Sequence, residues 1–360
     1  MSTSPTLADA ADRRTDNFLP LRHLAARLVI YGHSYPLGNN VLEQKDLLHA
    51  WLPSYSISRC AVFLFFAISG YLLTSSLLRH PSVLRYAWHR MLRVYPAYLA
   101  CLLLCVLALG AWFTSWPLAD YFHAPETWEH LRHNLKPTSF RWHLPGVFES
   151  NPYPGVVNGS LWSLGLEVRW YFWLGLLLVL GVVRRRRVFT AVVGSWLLYA
   201  TWQTVQGVPD PLGYRALAQT FLLAALAAQW GQHLRPSHLW ILAALVLLWL
   251  ARTGDWIALA MPLVAVQFTL WAAYRLPRLR WPGSRDYSYG IFLYGFPVQQ
   301  AVMATWPSLS PLALCAASTA LVLPCALVSW HLIERPALRW GTSRRPVEPA
   351  AHRVAGVEVG

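Results

Sequence analysis

Long apolar runs separated by short polar stretches are the feature of this sequence that most restricts its fold. A helix that crosses a bilayer needs about 20 consecutive, mostly apolar residues. The runs of near-spanning length cover roughly residues 18–37, 57–78, 94–113, 160–183, 188–206, 215–232, 238–251, 255–273, 288–306 and 311–333. The sequence therefore predicts an all-α, polytopic integral membrane protein with about ten transmembrane helices.

Composition supports the same class. Of the 360 residues, 56% are hydrophobic and only 13% are charged. The 20 Trp and 16 Tyr residues suit a protein with many membrane–water interfaces, where amphipathic rings collect. These values are typical of a polytopic membrane protein and argue against a soluble domain of this length.

The net charge of +14 would suggest a nucleic-acid partner in a soluble protein. Placing the Lys and Arg residues on the ten-helix topology puts about three times as many on one face as on the other, as the positive-inside rule expects. The charge is therefore interpreted as a topology signal and a phosphate-binding surface, and no nucleic-acid partner is expected. Both termini are predicted to be cytoplasmic.

The topology divides the chain into three parts. Residues 1–17 are predicted to form a cytoplasmic tail, 18–336 the membrane domain and 337–360 a second cytoplasmic tail. The polar first part leads into a full apolar run without a small-residue cleavage site, so no cleaved signal peptide is expected.

Arg22 and His33 are the first candidates for chemistry. Eleven residues on a helix are about three turns and about 16 Å along the axis, so both are expected on one helix face. An ionisable residue at bilayer depth is costly and indicates a functional site by default. The alternative is a structural histidine that is satisfied by a neighbouring backbone carbonyl.

Two further groups lie in the second run and the loop after it. Ser69 and Gly70 form a small polar notch that suits close helix approach, and packing is the favoured interpretation for Ser69. Arg90 and Arg93 are three residues apart, share a helix face and form a donor fork that suits phosphate. Topogenic charge alone is the competing explanation for the two arginines.

Glu167 lies in the run that begins near residue 160, at a depth where it could meet His33. A carboxylate beside a histidine orients the ring and raises its basicity, as a general base requires. Arg169 is the rival partner for Glu167, although its angular separation argues against pairing within the helix. Further structural or substrate-contacting candidates are Trp162, Ser163, Tyr294 and Glu334.

The longest polar stretch, about residues 114–159, is placed on the outer face and contains several histidines and tryptophans. Loops of this length in compact proteins usually carry function. A carbohydrate-facing surface is one interpretation, and an interfacial amphipathic helix at 128–134 is the simpler alternative. The cysteines show no metal-ligand pattern, so no metal cofactor is expected.

Taken together, these residues resemble the membrane acyltransferase-3 family, specifically its exopolysaccharide and O-antigen branch. Each motif alone is weak, but they occur in the family's order across residues 17–336. The matching motifs are Asn17-Phe18 with Arg22 and His33-Ser34, Phe65-Phe66 through Ser69-Gly70, Arg90 and Arg93 with Tyr95-Pro96, Leu144 to Phe148, Asn151 to Pro154, Asn158 to Ser163 with Glu167, Tyr289 to Pro297, and Ile333 to Pro336.

The resemblance implies a multi-pass enzyme of the bacterial inner membrane. It would move an acyl group, most simply acetyl, from cytoplasmic acyl-CoA to a hydroxyl of an exported polysaccharide or lipid-linked glycan, in contact with membrane lipid. By the same resemblance His33 is the catalytic residue, and Arg22, Arg90 and Arg93 line the donor side. Direct transfer with His33 as general base and an acyl-histidine relay both remain open.

Two positions depart from the family pattern. Leu19 and Gly295 stand where many members have Asp and His, respectively. The second change removes a candidate helper base and leaves the proton transfer to His33 and Glu167. A polysaccharide or lipid transporter, or a non-catalytic component of an assembly complex, are the alternative functions, because buried His, Glu and Arg also fit a translocation path.

Overall fold

A computed structural model describes residues 6–7, 16–38, 45–137, 140–210, 212–279 and 285–343. Within these residues all extended regular structure is helical, and β-pairing is limited to two isolated bridges, Thr114–Val147 and His143–Val156. The predicted all-α class is confirmed.

The described helices follow the apolar runs closely. In chain order they are α1 (Phe18–Leu37), α2 (Ile57–Arg79), α3 (Val83–Leu103), α4 (Leu118–His123), α5 (Pro125–Asn134), α6 (Leu161–Val179), α7 (Arg186–Val205), α8 (Tyr214–Gln229), α9 (His238–Ala251), α10 (Ile257–Arg275), α11 (Ser288–Thr305) and α12 (Pro311–Ser329). Each of the apolar runs contains one of these helices.

Two of the helices continue through π-helical turns. After α3 the chain forms a π segment over Leu104–Gly110 and a short helical turn over Ala111–Phe113. After α12 a π segment over Trp330–Glu334 leads into α13 (Arg335–Ser343). Such insertions often mark functional positions, and the second one carries Glu334.

Four described helices are long and apolar enough to cross a membrane: Ile57–Arg79, Val83–Phe113, Ile257–Arg275 and Pro311–Gly341. The membrane character is thereby supported, while the count of ten spans and the orientation of the termini stay predictions. α1 is long enough to cross a membrane, but Arg22, Arg27 and its other polar residues lower its mean hydropathy, and α9 is apolar but short.

The core is organised around α2, which packs against α1, α8 and α10, while α11 packs against α1 and α12. Close approach depends on small residues. A Cβ added at Gly70 would overlap the Phe221 carbonyl oxygen of α8, and one added at Gly32 would overlap the backbone of Ser58. The small notch predicted at Ser69-Gly70 is therefore a packing position for the α2–α8 pair.

The segment between α3 and α6 carries α4 and α5 and is fastened to α11. The expected helix at 128–134 is confirmed by α5. Asn151 donates from Nδ2 to the backbone and side-chain oxygens of Gln300, both at 2.9 Å. Gln300 in turn donates to the carbonyls of Tyr153 and Val156 at 2.8 and 2.7 Å. These bonds hold residues 151–156 against α11.

Candidate active site

Two neighbouring cavities lie between α1, α2, α6 and α11. The larger, here called the His33 cavity, has a volume of about 220 Å³ and is lined by Val29, His33, Ser56, Ser58, Arg59, Val62, Ser160, Trp162, Ser163, Leu212 and Phe292. The smaller, the Glu167 cavity, is about 40 Å³ and is lined by Arg22, Val62, Phe65, Phe66, Ser163, Leu164, Glu167, Ser288, Tyr289 and Phe292.

The two cavities share three lining residues, Val62, Ser163 and Phe292. The predicted residues of α1 are therefore divided between them, with Arg22 in the smaller cavity and His33 in the larger one. The shared wall places the two cavities side by side.

His33 is held on a well-fixed turn of α1. Gln299 of α11 donates from Nε2 to the Ile30 carbonyl at 2.9 Å and to Ser34 Oγ at 2.8 Å. The imidazole meets the ring of Phe296 edge to face, with 5.5 Å between ring centroids. Nδ1 of His33 is buried and has no hydrogen-bond partner among the described residues. The alternative in which a neighbouring backbone carbonyl satisfies the histidine therefore does not hold for this nitrogen.

His23 lies ten residues before His33 on α1, and its ring is fully hydrogen-bonded, as expected for a structural histidine. Its Nε2 accepts from the backbone N–H of Tyr287 at 3.1 Å, so the ring proton lies on Nδ1. Nδ1 then donates to the Leu19 carbonyl at 2.9 Å. Both nitrogens of His23 are used, whereas His33 keeps a free one.

Glu167 is held by two hydroxyl groups. Ser69 Oγ and Tyr171 Oη both donate to Glu167 Oε1 at 2.5 Å. Tyr171 is one helical turn after Glu167, while Ser69 comes from α2. No hydrogen bond joins Glu167 to His33 among the described residues, so the two face adjoining cavities without touching. Ser69 has a polar role in addition to its place in the packing notch.

A chain of ion pairs holds Arg22. Asp286 Oδ2 lies 2.8 Å from Arg22 Nη1 and 2.7 Å from Arg93 Nη2. Arg93 Nη1 is also 3.3 Å from Glu334 Oε2, and Glu334 Oε1 accepts from Ser329 Oγ at 3.0 Å. The network joins α1, α3 and the turns at the ends of α11 and α12. Glu334 therefore makes structural contacts, with Arg93 and Ser329 as its partners.

The charge of Asp286 is stabilised by this network. Burial alone would raise the pKa of Asp286, but Arg22, Arg93 and the Ser288 hydroxyl lower it, and the pKa lies well below its ordinary value. Asp286 is therefore ionised and provides the negative charge between the two arginines.

Arg90 and Arg93 have different surroundings, although they are one turn apart on α3. The Arg90 guanidinium lies 5.8 Å from the ring centroid of Tyr171. It lines a third cavity of about 110 Å³ together with Leu73, Ser76, Leu77, His80, Arg85, Tyr86 and His89. The structure does not bring the two arginines together as one fork.

The remaining candidates are divided between cavity walls and the core. Trp162 lines the His33 cavity and stacks on Tyr214 with 5.9 Å between centroids. Ser163 borders both cavities and donates to the Ser160 carbonyl at 3.4 Å. Tyr294 is buried in the main core cluster and lines neither cavity.

Sequence patterns did not single out Asp286, Gln299 or Arg59. Asp286 is an acidic residue that lies between a basic stretch and the apolar run beginning at 288. An isolated acidic residue among basic ones was the available signal. Gln299 is a polar residue inside an apolar run, which marks a buried hydrogen bond in membrane helices. Arg59 lies at the start of an apolar run, where a charged residue is ordinary and does not by itself indicate a functional site.

The part of the chain that the structure describes holds no cluster of three or more His, Cys, Asp or Glu residues that could bind a metal ion.

Comparisons with known proteins bear on what this site does. A family model described as an acyltransferase domain matches residues 21–331. The chain is 26% identical over 342 residues to the O-acetyl transferase of Shigella phage Sf6, covering 89% of this chain and 96% of that protein. It is 28% identical over 360 residues to nodulation protein 10 of Rhizobium leguminosarum bv. viciae, covering 91% and 94%. No solved structure matches.

Proposed function

Since this chain belongs to the acyltransferase-3 family and is an acyltransferase, we propose that it carries an acyl group from acyl-CoA to a hydroxyl of a cell-surface or exported polysaccharide. The name of the phage relative favours acetyl as the group and oxygen as the acceptor atom. The proposed setting is a bacterial inner membrane, with about ten spans and both termini in the cytoplasm.

One observation carries this proposal: His33 has a buried, unpartnered Nδ1 and lines a cavity that adjoins the one lined by Arg22 and Glu167. A buried polar atom without a partner costs about 1–3 kcal/mol, so a fixed, unsatisfied imidazole in a cavity indicates a bound or reacting group. An imidazole suits proton transfer near neutral pH.

In the proposed reaction, neutral His33 takes the proton of the acceptor hydroxyl as its oxygen attacks the thioester carbonyl. The new C–O bond forms, the C–S bond breaks, and the proton passes from His33 to the departing thiolate. In the acyl-histidine route the imidazole nitrogen attacks the thioester carbonyl first, the C–S bond breaks, and the thiolate leaves with the imidazole proton. The acceptor hydroxyl then attacks the acyl-imidazole, the C–N bond breaks, and the hydroxyl proton passes to the imidazole of His33. Both routes need the free nitrogen.

The remaining residues take supporting roles in the proposal. Glu167, behind the shared wall, favours the positive charge that develops on His33. Arg22 and Arg90 contact donor phosphates from their two cavities. Arg93, whose guanidinium is occupied by Asp286 and Glu334, contributes by holding the network that orients Arg22.

Mass spectrometry of surface glycan tests the proposal. Cells that lack the gene are complemented with the wild type, with His33→Ala or with His123→Ala, an exposed histidine of α4 that lines neither cavity. The wild type and His123→Ala should add one acyl mass increment, and His33→Ala should add none at equal membrane abundance. Unchanged glycan mass combined with loss of glycan from the surface would support a transporter or assembly component instead.

A further inference from the structure

The His33 cavity contains one cation, Arg59, in the first turn of α2. Its backbone N–H donates to Ser56 Oγ at 3.2 Å, which caps the helix. The guanidinium lies 5.5 Å from the ring centroid of Tyr55. On its other side it abuts Gly213, where an added Cβ would overlap Nη2. Contacts on two sides therefore fix the position of the Arg59 charge.

Among the described residues no carboxylate forms an ion pair with Arg59. The described lining of the His33 cavity contains no Asp or Glu. Arg22 and Arg93, at the other end of α1, both pair with Asp286. A half-buried guanidinium favours an anionic partner, because its planar fork of donors matches carboxylate and phosphate oxygens.

A second, independent observation indicates that something polar binds here. Ser160 is 2% exposed, lines the cavity, and its Oγ has no hydrogen-bond partner among the described residues. Nδ1 of His33 is unsatisfied in the same cavity. Buried polar atoms in folded proteins are normally paired, so two unpaired atoms in residues that line one cavity indicate that a polar ligand belongs there.

The rest of the wall suits a sugar. Trp162 provides an aromatic surface, held by its stacking on Tyr214, and Ser56, Ser58 and Ser163 add hydroxyl groups. A few placed polar groups around an aromatic face are characteristic of small-molecule sites. The cavity therefore combines a sugar-like lining with one fixed cation.

We propose that the His33 cavity binds an acidic sugar of the acceptor, with Arg59 holding its carboxylate or phosphate group and Ser160 a neighbouring hydroxyl, so that another hydroxyl lies at His33. The inference rests on the proposed function, since it names the acceptor of the same site. Arg59 is a specificity residue here and takes no part in the transfer step. A neutral sugar would leave the Arg59 cation without a partner and would bind more weakly.

Binding and turnover of the full-length protein in nanodiscs test this proposal. Thermal unfolding is measured with glucuronate, glucose 1-phosphate or glucose at equal ionic strength. The wild type should be stabilised more by one of the two anions than by glucose, and the better anion identifies the acidic group. Arg59→Gln should lose the difference, and Arg59→Lys should keep part of it. Arg79→Gln, an exposed arginine at the far end of α2, should keep all of it.

Turnover is measured with acetyl-CoA and either 4-nitrophenyl glucuronide or 4-nitrophenyl glucoside. Arg59→Gln should raise the KM for the glucuronide by about tenfold or more, the range of a charge-assisted hydrogen bond, and raise the KM for the glucoside far less. Ser160→Ala is the second variant if Arg59→Gln does not fold, and it should weaken both sugars alike while the preference for the anion stays.

The outcomes separate this proposal from the proposed function. Equal stabilisation by glucose and both anions, or a preference that Arg59→Gln retains, overturns the acidic-sugar site while acyl transfer stands. A fall in kcat for both glycosides alike also overturns it, because Arg59 would then act on the reacting atoms. If anion preference is lost in Arg59→Gln but acetyl-CoA is never consumed, the anion site stands and the proposed function fails.

Discussion

The two ends of α1 differ in how far their polar and charged groups are paired. At the Arg22 end most charged and polar groups are paired: Asp286 binds two arginines, Glu334 binds Arg93, and His23 uses both ring nitrogens, although Arg22 Nε has no partner among the described residues. At the His33 end, Nδ1 and the nearby Ser160 Oγ have no partner in the described part of the chain. The Arg22 end is therefore held mainly by its own ion pairs, whereas the residues that the structure describes form no ion pair at the His33 end.

This difference gives each end a separate role. A satisfied network of buried charges fixes the position of the elements that carry it. An unsatisfied polar site carries a free-energy penalty in the empty protein that a ligand relieves. We therefore expect changes at the Arg22 end to reduce stability first, and changes at the His33 end to reduce activity first.

The largest effect is expected for His33→Ala. General acid–base catalysis contributes about 10²–10⁴-fold, so acyl transfer should fall by at least that range. The melting temperature should change little, because no hydrogen bond of Nδ1 is lost. Transfer rates by mass spectrometry and thermal unfolding in nanodiscs check both statements. A variant that is unstable but active per folded molecule would reverse the comparison.

Asp286→Asn should produce the largest loss of stability. It leaves Arg22 and Arg93 without their shared counter-charge, and breaking a buried ion pair costs about 3–5 kcal/mol. Because the Arg22 side chain is 27% exposed, we expect about 2–4 kcal/mol.

Thermal unfolding measures the effect of Asp286→Asn, with Asp255→Asn, an exposed carboxylate before α10, as the control. Equal melting temperatures for the two variants would show that the ion-pair network is not what holds this end together.

His23→Ala makes the matched comparison with His33→Ala. It removes two side-chain hydrogen bonds and leaves the Tyr287 N–H without its partner, while the Leu19 carbonyl keeps its helical bond, so the loss should be about 1–3 kcal/mol. Activity per folded molecule should be kept within a few-fold. If the two histidine variants lose activity and stability in the same proportion, the division between the ends of α1 is wrong.

Gln299→Ala should produce a smaller and mixed effect. It removes the two hydrogen bonds that hold Ile30 and Ser34, at about 1 kcal/mol each. Because these bonds fix the turn that carries His33, we expect kcat to fall about tenfold or more while the KM for the donor stays the same. A rise in donor KM with normal kcat would place Gln299 in donor binding.

The smallest effect concerns His130, a buried histidine of α5 outside the candidate membrane spans. Burial lowers the pKa of His130 to about 4, although Nδ1 bonds to the His143 carbonyl at 2.9 Å. The neutral ring is the folded form, so its stabilisation is complete above the ordinary pKa of about 6.5 and is lost as the pH falls towards 4.

Between pH 7 and pH 5 the wild type should lose about 1–2 kcal/mol on account of this group. Melting curves at the two pH values measure the loss, and His130→Gln should show a flatter pH dependence. If both proteins respond equally, another group titrates in that window.

The helices could be predicted from the sequence because each apolar run is a local property. The number of spans could not be settled in this way: Arg22 and Arg27 lie within α1, and α9 is short. An arginine such as Arg22, whose partner Asp286 is distant in the sequence, cannot be distinguished from an arginine in a loop by its sequence neighbours alone.

The sequence proposed site residues one by one but could not predict the partners of those residues. Arg22, His33 and Glu167 all line the two central cavities. Asp286 and Gln299 join α1 across more than 260 residues of sequence, and no local pattern links them. Tyr171 is the exception, since its spacing from Glu167 is that of a helical i, i+4 pair.

The π turn over Trp330–Glu334 sets the register of the last helix. A π turn contains more residues than an α turn, and each residue in an α-helix rotates the next by about 100°. Deleting one residue between Ser329 and Arg335 is expected to rotate Glu334 about the helix axis, away from Arg93. The ion-pair end of the protein therefore depends on a residue count as well as on residue identity.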